Sequence, residues 1–253
     1  MRIAPDPVRP QAPPAPDARW ASGVPTLDSA LGGGLAYGCL HEIYAAETGD
    51  AASAAGFALG VAAGMAGDSR AVLWLRSRRQ ISQAGVLQAN GWRELGALPE
   101  NALVAIVPDT LALLCAAADA VRCAALGAVV VEGWGKLPEL DLTASRRLVL
   151  AAEKSRVPLI LLRADAAPIS SAAQTRWQVA AAPSHALPGQ APGLPAFDIQ
   201  LLRQKSGPSG LDWRLEWDRD QRQFRGAALS GAVVRAPVDR PVADRNAAPR
   251  QAA

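Results

Sequence analysis

Apolar residues occur along the middle of the chain in short continuous runs that are separated by longer Ala- and Leu-rich segments. Short runs rich in Val, Leu and Ile predict buried strands, whereas the longer segments predict helices. The predicted strands are 39–44, 71–75, 102–107, 128–132 and 158–162, and the predicted helices are 26–30, 51–66, 82–90, 111–126 and 144–154. Strands that are apolar throughout and alternate with helices are typical of a parallel sheet covered on both faces.

The pattern changes in the last third of the chain. Shorter strands are predicted at 176–180, 198–204 and 213–217. The turn-forming run KSGPSG joins the last two as an antiparallel hairpin at the sheet edge. Trp177 is expected to anchor the first of these strands in the core. Trp213, Leu215 and Trp217 alternate on one face of the last strand, which is expected to point inward. The fold class is therefore α/β, a mostly parallel twisted sheet flanked by helices with a C-terminal antiparallel hairpin.

Both ends of the chain differ in composition from the middle. Residues 1–19 are rich in Pro and Asp, and residues 232–253 have a similar composition. Proline removes a backbone donor and disfavours helices and inner strands, so both segments are predicted to be disordered. The folded domain is assigned to 20–231, and the Pro/Gly-rich stretch 186–197 within it is interpreted as a surface loop.

Composition and charge narrow the class of protein only a little. The net charge is +3 over 253 residues, a weak indication of a nucleic-acid partner that a basic surface explains equally well. Cys39, Cys115 and Cys123 lack metal-ligand spacing and are expected to be buried, reduced thiols. No apolar run reaches the roughly 18 residues of a membrane span, and the N-terminus lacks the apolar core of a signal peptide. We therefore expect a cytoplasmic protein without a membrane partner.

Two segments resemble the RecA/RadA ATPase core. In SGVPTLDSALGGGLAYGCLHEIYA (22–45), Leu27, Asp28, Leu31 and the glycines 32–34 match the entry to that core, and 41–44 matches its first strand. Residues 107–137 resemble the later strand, helix and Walker B strand. The runs DLTASRRLVLAAE (141–153), QTRWQVAAAPS (174–184) and WRLEWD (213–218) resemble the ImuA family more closely. This resemblance implies a RecA-like fold and an SOS-induced accessory factor encoded beside an ImuB-type Y-family-like protein and an error-prone polymerase.

The phosphate-binding loop of that family is degenerate here. A working loop needs glycines, a Lys for the β- and γ-phosphates, and a Ser or Thr hydroxyl for Mg²⁺. The corresponding segment AAETGDAAS (45–53) keeps the family's glutamate but loses both glycines of the pattern, which Ala45 and Asp50 replace; its relevant residues are Ala45, Glu47, Gly49, Asp50, Ala51 and Ala52. Ala51 and Ala52 stand where the Lys and the hydroxyl residue belong. We therefore predict no cofactor, no metal and no ATP hydrolysis.

Alternatives remain open at the same site. Glu132 ends the Walker B-like strand and could hold a metal or have a structural partner, while Arg76 lies near the place of the family's water-activating glutamate. The loop could be a βα turn that simply starts a helix. Weak nucleotide binding without hydrolysis is the other interpretation, because a helix N-terminus attracts anions.

Basic residues supply the candidate contact sites. Arg146 and Arg147 lie on the helix after the Walker B-like strand, and Arg203 and Lys205 frame the hairpin turn. They form either a solvated face or contacts for a protein partner or DNA phosphates. On that helix Thr143 is a plausible N-cap, and Leu148, Leu150 and Ala151 are expected to face the sheet. The segment ISSAAQ, at the place of RecA's second DNA-binding loop, has no basic or aromatic residue, so RecA-style single-strand binding is not expected.

The favoured function is a non-enzymatic adaptor of SOS-induced translesion synthesis. It would join RecA to an ImuB-type protein and, indirectly, to an error-prone polymerase, with a weak DNA contact and recruitment to the nucleoid after damage. The alternatives are a divergent DNA-stimulated ATPase and a cell-division inhibitor of the SulA type. The Pro-rich leader cannot form RecA's leading helix, so docking through a sheet edge or a tail is expected rather than filament formation.

Overall fold

The computed structural model describes residues 13–186 and 188–227. Its helices are α1 (Pro25–Ala30), α2 (Ala51–Ala66), α3 (Arg78–Ala84), α4 (Ala89–Glu94), α5 (Thr110–Ala120) and α6 (Leu142–Ser155). Its strands are β1 (Arg19–Trp20), β2 (Leu35–Ala36), β3 (Leu40–Ala45), β4 (Ala71–Ser77), β5 (Ala102–Val107), β6 (Leu126–Trp134), β7 (Leu159–Ala164), β8 (Thr175–Ala181), β9 (Ala196–Gln204), β10 (Leu211–Asp218) and β11 (Gln223–Gly226). Residues 1–12 of the predicted disordered leader and all of the predicted disordered tail 232–253 lie outside the described residues.

Nine strands form one large sheet in the order β11-β10-β9-β8-β3-β7-β6-β4-β5. From β8 to β5 every neighbouring pair is parallel. From β8 to β11 every pair is antiparallel. This confirms the predicted fold class, with one correction. The hairpin of β9 and β10 is not at the edge, because the short strand β11, which the sequence analysis missed, pairs with β10 beyond it.

Helix α2 covers one face of the sheet and explains its own composition. Ala and Gly occupy most of its positions, and the sheet and the N-terminal segment place large rings against it. A side chain at Gly60 would have its Cβ 3.1 Å from the Trp217 ring, and one at Gly64 would overlap the ring of Trp20. Small residues therefore let the aromatic side chains approach the helix closely. Leu215 and Trp217 point inward as predicted, whereas Trp213 is only half-buried.

The other face of the sheet is covered by α5 and α6 over its parallel half. Leu148 and Ala151 of α6 are buried there, but Leu150 is 60% exposed, against the prediction. Residues that are two positions apart in an α-helix differ by about 200° around its axis, so Leu148 and Leu150 cannot share a face. The N-cap is Asp141, whose side chain accepts the Ala144 N–H at 2.7 Å, and not Thr143.

Two predicted helices have different limits. The stretch 82–90 is divided between α3 and α4, since α3 ends before Gly85, which has a φ of 71°. The helix predicted to reach residue 126 ends at Ala120. Leu126 instead begins β6 and pairs with Ala71 of β4. Leu126 therefore belongs to a strand. The Ala-rich run that precedes it had led to its assignment to the helix.

The N-terminal limit of the folded part also differs from the prediction. Arg19 had been assigned to the disordered leader, yet it lies in β1, where it pairs with Ala36. Its guanidinium donates to the carbonyls of Leu31 and Gly34 at 3.0 and 3.1 Å. Gly34 has a φ of 117°, and a Cβ there would overlap the Trp20 carbonyl. This glycine therefore lets the strand pair close.

The three cysteines are free thiols, but the prediction that all are buried is wrong. Cys39 is half-buried, and Cys115 and Cys123 are exposed. Helix α5 buries Leu113 and Ala117, which leaves Cys115 on its outer side. Burial raises the pKa of the Cys39 thiol. In the described part of the chain, no helix combines the length and the apolarity needed to cross a bilayer.

Candidate functional site

The degenerate phosphate loop lies between β3 and α2, at the carboxyl end of a central strand. Ala45 ends β3, a 3₁₀ turn spans Thr48–Asp50, and α2 begins at Ala51. This is the place where a doubly wound α/β sheet commonly binds ligands. The predicted segment thus connects β3 to α2, and its contacts decide what it can bind.

The carboxylate of Asp50 binds one amide of this loop and one amide of the neighbouring strand β8. Its Oδ2 accepts the backbone N–H of Glu47 at 3.2 Å, and its Oδ1 accepts the N–H of Ala181 at 2.9 Å. The Glu47 side chain in turn accepts the Asp50 N–H, which completes a reciprocal capping box. The N–H of Ala51 donates to the Thr48 carbonyl. Three amides of the loop, those of Glu47, Asp50 and Ala51, thus have acceptors within the chain.

The charge around the loop is negative. Thr48 Oγ1 donates to Asp165 Oδ1 at 3.1 Å, which brings a third carboxylate to the turn beside Glu47 and Asp50. Among the described residues, none of these three carboxylates has a Lys or Arg nitrogen within the 4.0 Å of an ion pair. Two unit charges about 4 Å apart repel by about 4 kcal/mol at an effective dielectric near 20. A phosphate at this turn would therefore be repelled.

Glu132, the second candidate nucleotide-site residue, has structural partners. Its Oε1 accepts from Arg76 Nη2 at 2.8 Å, and its Oε2 accepts from the indole N–H of Trp74 at 2.7 Å. Arg76 also donates to the Gly85 carbonyl at 2.8 Å, which ties the end of α3 to β4. Arg76 and Glu132 are both buried. The structure favours the structural interpretation of Glu132, and no cluster of three metal-ligating side chains occurs within 13–186 and 188–227.

A buried histidine on β3 was missed by the sequence analysis. His41 Nε2 contacts the Ala36 carbonyl at 2.9 Å, and Nδ1 contacts Thr175 Oγ1 at 2.8 Å. A carbonyl only accepts, so Nε2 carries the proton and Nδ1 accepts from the threonine hydroxyl, which itself accepts the Trp177 indole N–H. Burial is the main cause that lowers the pKa of His41 to about 4. Its partners are 5 and 134 residues away in the chain, so no local pattern marks it.

A second buried polar cluster lies on the opposite face of the central strands. Arg176 of β8 donates to Glu42 of β3 at 2.7 Å, and its other nitrogen binds the Ile169 carbonyl and Ser171 Oγ. The guanidiniums of Arg163 and Arg176 both lie 5.8 Å from the centre of the Tyr44 ring. Burial raises the pKa of Tyr44 and lowers that of Arg163. Arg176 thereby fixes the segment at 169–171 that precedes β8.

The four candidate basic residues divide between two places. Arg146, Arg203 and Lys205 line one groove between α6 and the start of the antiparallel strands, although they come from distant parts of the sequence. Arg147, the neighbour of Arg146, points to the other side of α6 and lines a separate depression against α5. The structure thus brings three of the four together and separates the fourth.

The last candidate surface is the edge strand β5. It pairs only with β4 among the described residues, so its outer backbone edge has no strand partner. Leu103, Val104 and Ile106 are each about half exposed, and Leu111 at the start of α5 is 62% exposed. The sequence ALVAIV contains no charged residue. A flat, apolar and uncharged edge is a site where another polypeptide can add a strand.

The solved structures provide one informative comparison. The chain is similar to the RadB recombinase, with a TM-score of 0.54 and 15% identity over 83% of this chain and 100% of that chain. A similarity at this identity establishes the fold alone, and the fold is RecA-like, as the sequence predicts. No protein-family model matches the chain, and no curated protein matches it.

Proposed function

We propose that this chain is a non-catalytic, RecA-like accessory factor of SOS-induced translesion DNA synthesis. In this proposal it acts as an adaptor between RecA and an ImuB-type protein, and through the latter it recruits an error-prone polymerase. It holds its partners through protein contacts and uses no nucleotide.

The Asp50 carboxylate is the observation that carries the proposal. It accepts the Glu47 N–H of the loop and the Ala181 N–H at the end of β8 with the chain's own negative charge, and the Lys and hydroxyl positions are Ala51 and Ala52. A loop of this kind gives no stabilisation to the charge that develops on a transferred phosphoryl group. The retained fold then offers surfaces for binding.

The β5 edge supports the adaptor role. Its exposed apolar residues and unpaired outer backbone are typical of a surface that a partner covers. The choice of partner rests on the ImuA-like runs at 141–153, 174–184 and 213–218. It is on this resemblance that RecA and an ImuB-type protein are proposed as partners.

The enzymatic alternative is tested by phosphate release from ATP, with and without single-stranded DNA. We expect no release above background for the purified chain. The control is Glu47→Gln, because Glu47 is exposed and its substitution leaves the core intact. Turnover that is stimulated by DNA and lost in Glu47→Gln would overturn the non-catalytic proposal.

The adaptor role is tested by direct binding of the purified chain to RecA and to an ImuB-type protein. We expect micromolar or tighter binding, and Ile106→Lys should weaken it at least about tenfold at one of the two partners, a loss of about 1.4 kcal/mol. Val86→Lys is the matched control, since Val86 is 67% exposed but lies outside the sheet. Absence of binding to both partners at micromolar concentration refutes the adaptor role. Equal effects of the two variants would exclude the β5 edge as the docking surface.

A further inference from the structure

The groove beside α6 combines an apolar floor with a basic rim. Its volume is about 440 Å³. The α6 side contributes Leu142, Val149 and Leu150, and the segment before β8 adds Ala172 and Ala173. Leu142 and Leu150 are 37% and 60% exposed. Exposed leucines that line the same concave surface indicate a place where an apolar side chain of a partner can be buried.

The three cations on the rim lack a counter-charge within the chain. In the part of the chain that the structure describes, Arg146, Arg203 and Lys205 have no carboxylate within ion-pair distance. Arg203 makes only a long contact of 3.4 Å with the Ser171 carbonyl. By contrast, Arg214 on the same antiparallel sheet forms two bonds of 2.7 Å with Asp198. The groove therefore presents positive charge that is available to a ligand.

The walls of the groove are held in place by hydrogen bonds to the surrounding elements. Ser145 of α6 accepts the Ala172 N–H at 3.1 Å, and the Lys205 N–H donates to the Gln174 carbonyl at 2.9 Å. Arg176 binds Ser171 from below at 3.0 Å. A site with fixed walls loses little conformational entropy when a ligand binds. The groove is thus formed before any partner arrives.

The chemistry of the lining favours an acidic peptide over a nucleic acid. Single-stranded nucleic acids bind through bases stacked on aromatic rings along a basic channel. No aromatic side chain lines this groove, and its floor is made of Leu, Val and Ala. An extended or helical peptide that carries Asp or Glu beside a large apolar residue matches both the rim and the floor.

We infer that this groove is a docking site for an acidic peptide segment of a partner protein, which places an apolar side chain between Leu142 and Leu150 and its carboxylates on Arg146, Arg203 and Lys205. The inference deepens the adaptor proposal by giving it a second docking site, at a different place from the β5 edge. It rests on that proposal only for the biological role of the peptide, because binding of an acidic peptide to the groove can be measured whether or not the chain is an adaptor.

The test is selection of a displayed library of random peptides, about 12 residues long so that an extended chain spans the groove, on the purified full chain. We expect enrichment of peptides that combine Asp or Glu with Leu, Ile or Phe. A selected peptide, labelled with a fluorophore, should bind Arg146→Glu at least about tenfold more weakly than the wild-type chain. Arg147→Glu is the matched control, since this neighbouring arginine on the same helix faces away from the groove, and it should bind within about twofold of wild type.

Three other results would overturn the inference. The first is a selection in which acidic peptides are not enriched. The second is an equal loss of peptide affinity in Arg146→Glu and Arg147→Glu. The third is unchanged affinity for a selected peptide after its apolar residues are replaced by Ser. An oligo(dT) strand is the competing probe. If it binds the chain and Arg146→Glu removes that binding while acidic peptides do not compete, the groove binds nucleic acid instead. Ile106→Lys should retain peptide binding, so failure of the β5 edge and failure of the groove are distinguishable.

Discussion

The carboxyl ends of the central strands and the β5 edge differ in whether their polar and apolar groups have contacts within the chain. At the ends of β3 and β6, where a RecA-like ATPase would hold its nucleotide, Asp50 accepts the N–H groups of Glu47 and Ala181, and Glu132 accepts from Arg76 and Trp74. At β5, half-exposed apolar side chains and an unpaired backbone edge find no partner among the described residues. The carboxylates of Asp50 and Glu132 are bonded within the chain, although Arg76 Nε is buried without a hydrogen-bond partner among the described residues, whereas the β5 edge is open to a partner. Substitutions at the centre should therefore lower stability, and substitutions at the edge should alter binding only.

The largest effect is expected at the buried ion pair of β4 and β6. Arg76→Ala leaves the Glu132 carboxylate buried without its counter-charge, which should lower the free energy of unfolding by about 3–5 kcal/mol. Urea denaturation measures the change. The matched control is Arg214→Ala, which removes an exposed pair with a similar N–O distance and should cost less than about 1 kcal/mol. Similar losses in both variants would contradict the view that burial makes the central pair decisive.

The next effect is a dependence of stability on pH through His41. Its folded-state pKa of about 4 lies below the value of 6.5 for an exposed histidine. As the pH falls from 6.5, the unfolded chain binds a proton that the folded chain does not take up, so the folded state loses stability until the pH reaches about 4. The loss should be about 3 kcal/mol at most.

Urea titrations at a series of pH values compare the wild-type chain with His41→Gln. The variant should lack this part of the acid loss, while His185→Gln, which changes the other histidine, should keep it. Parallel curves for the wild-type chain and His41→Gln would show that His41 is not the group responsible.

A smaller effect is expected at the phosphate loop itself. Asp50→Ala removes the cap of the turn and leaves the Ala181 N–H without its acceptor, which should cost about 1–2 kcal/mol of stability. Thermal unfolding gives the readout. Mg-ATP should not raise the melting temperature of the wild-type chain. A rise with Mg-ATP that persists in Asp50→Ala would mean that nucleotide binds this loop despite its carboxylates.

The smallest effect on stability belongs to β5. Ile106→Lys places a charge on an exposed edge position and should change the free energy of unfolding by less than about 0.5 kcal/mol. Ile160→Ala in the buried strand β7 should cost about 2–5 kcal/mol in the same denaturation assay. The comparison between centre and edge fails if Ile106→Lys unfolds the chain.

The sequence predicted the elements whose signal is local. Helix α2 and strand β5 begin and end at the predicted residues 51–66 and 102–107, because one is a long Ala-rich run and the other lies between two prolines. Strand β11 was missed, since it has four residues and buries only Phe224 among them. Leu126 was assigned to a helix because an Ala-rich run precedes it. Leu150 was misplaced because a run of apolar residues does not define which face of a helix is buried.

The contacts of the site depend on residues that are far apart in the chain. The Arg76–Glu132 pair joins residues 56 positions apart, and the Asp50 carboxylate reaches the backbone of Ala181 across 131 positions. The missing Lys and hydroxyl are visible in the sequence, but the substitute acceptor is not. Likewise the sequence offered Arg146, Arg147, Arg203 and Lys205 as one set, and only the fold separates Arg147 from the others.

The Asp50 carboxylate has a consequence for timing. In an ATPase of the RecA type, cleavage and exchange of the nucleotide set the times of assembly and release. On the function proposed here, the Asp50 carboxylate is the anion at this loop. It is part of the chain, so it is neither cleaved nor exchanged. The duration of any complex that the chain forms is then set by dissociation rates and by the abundance of its partners. Control of such a protein passes to how much of it the cell makes and how quickly the cell degrades it.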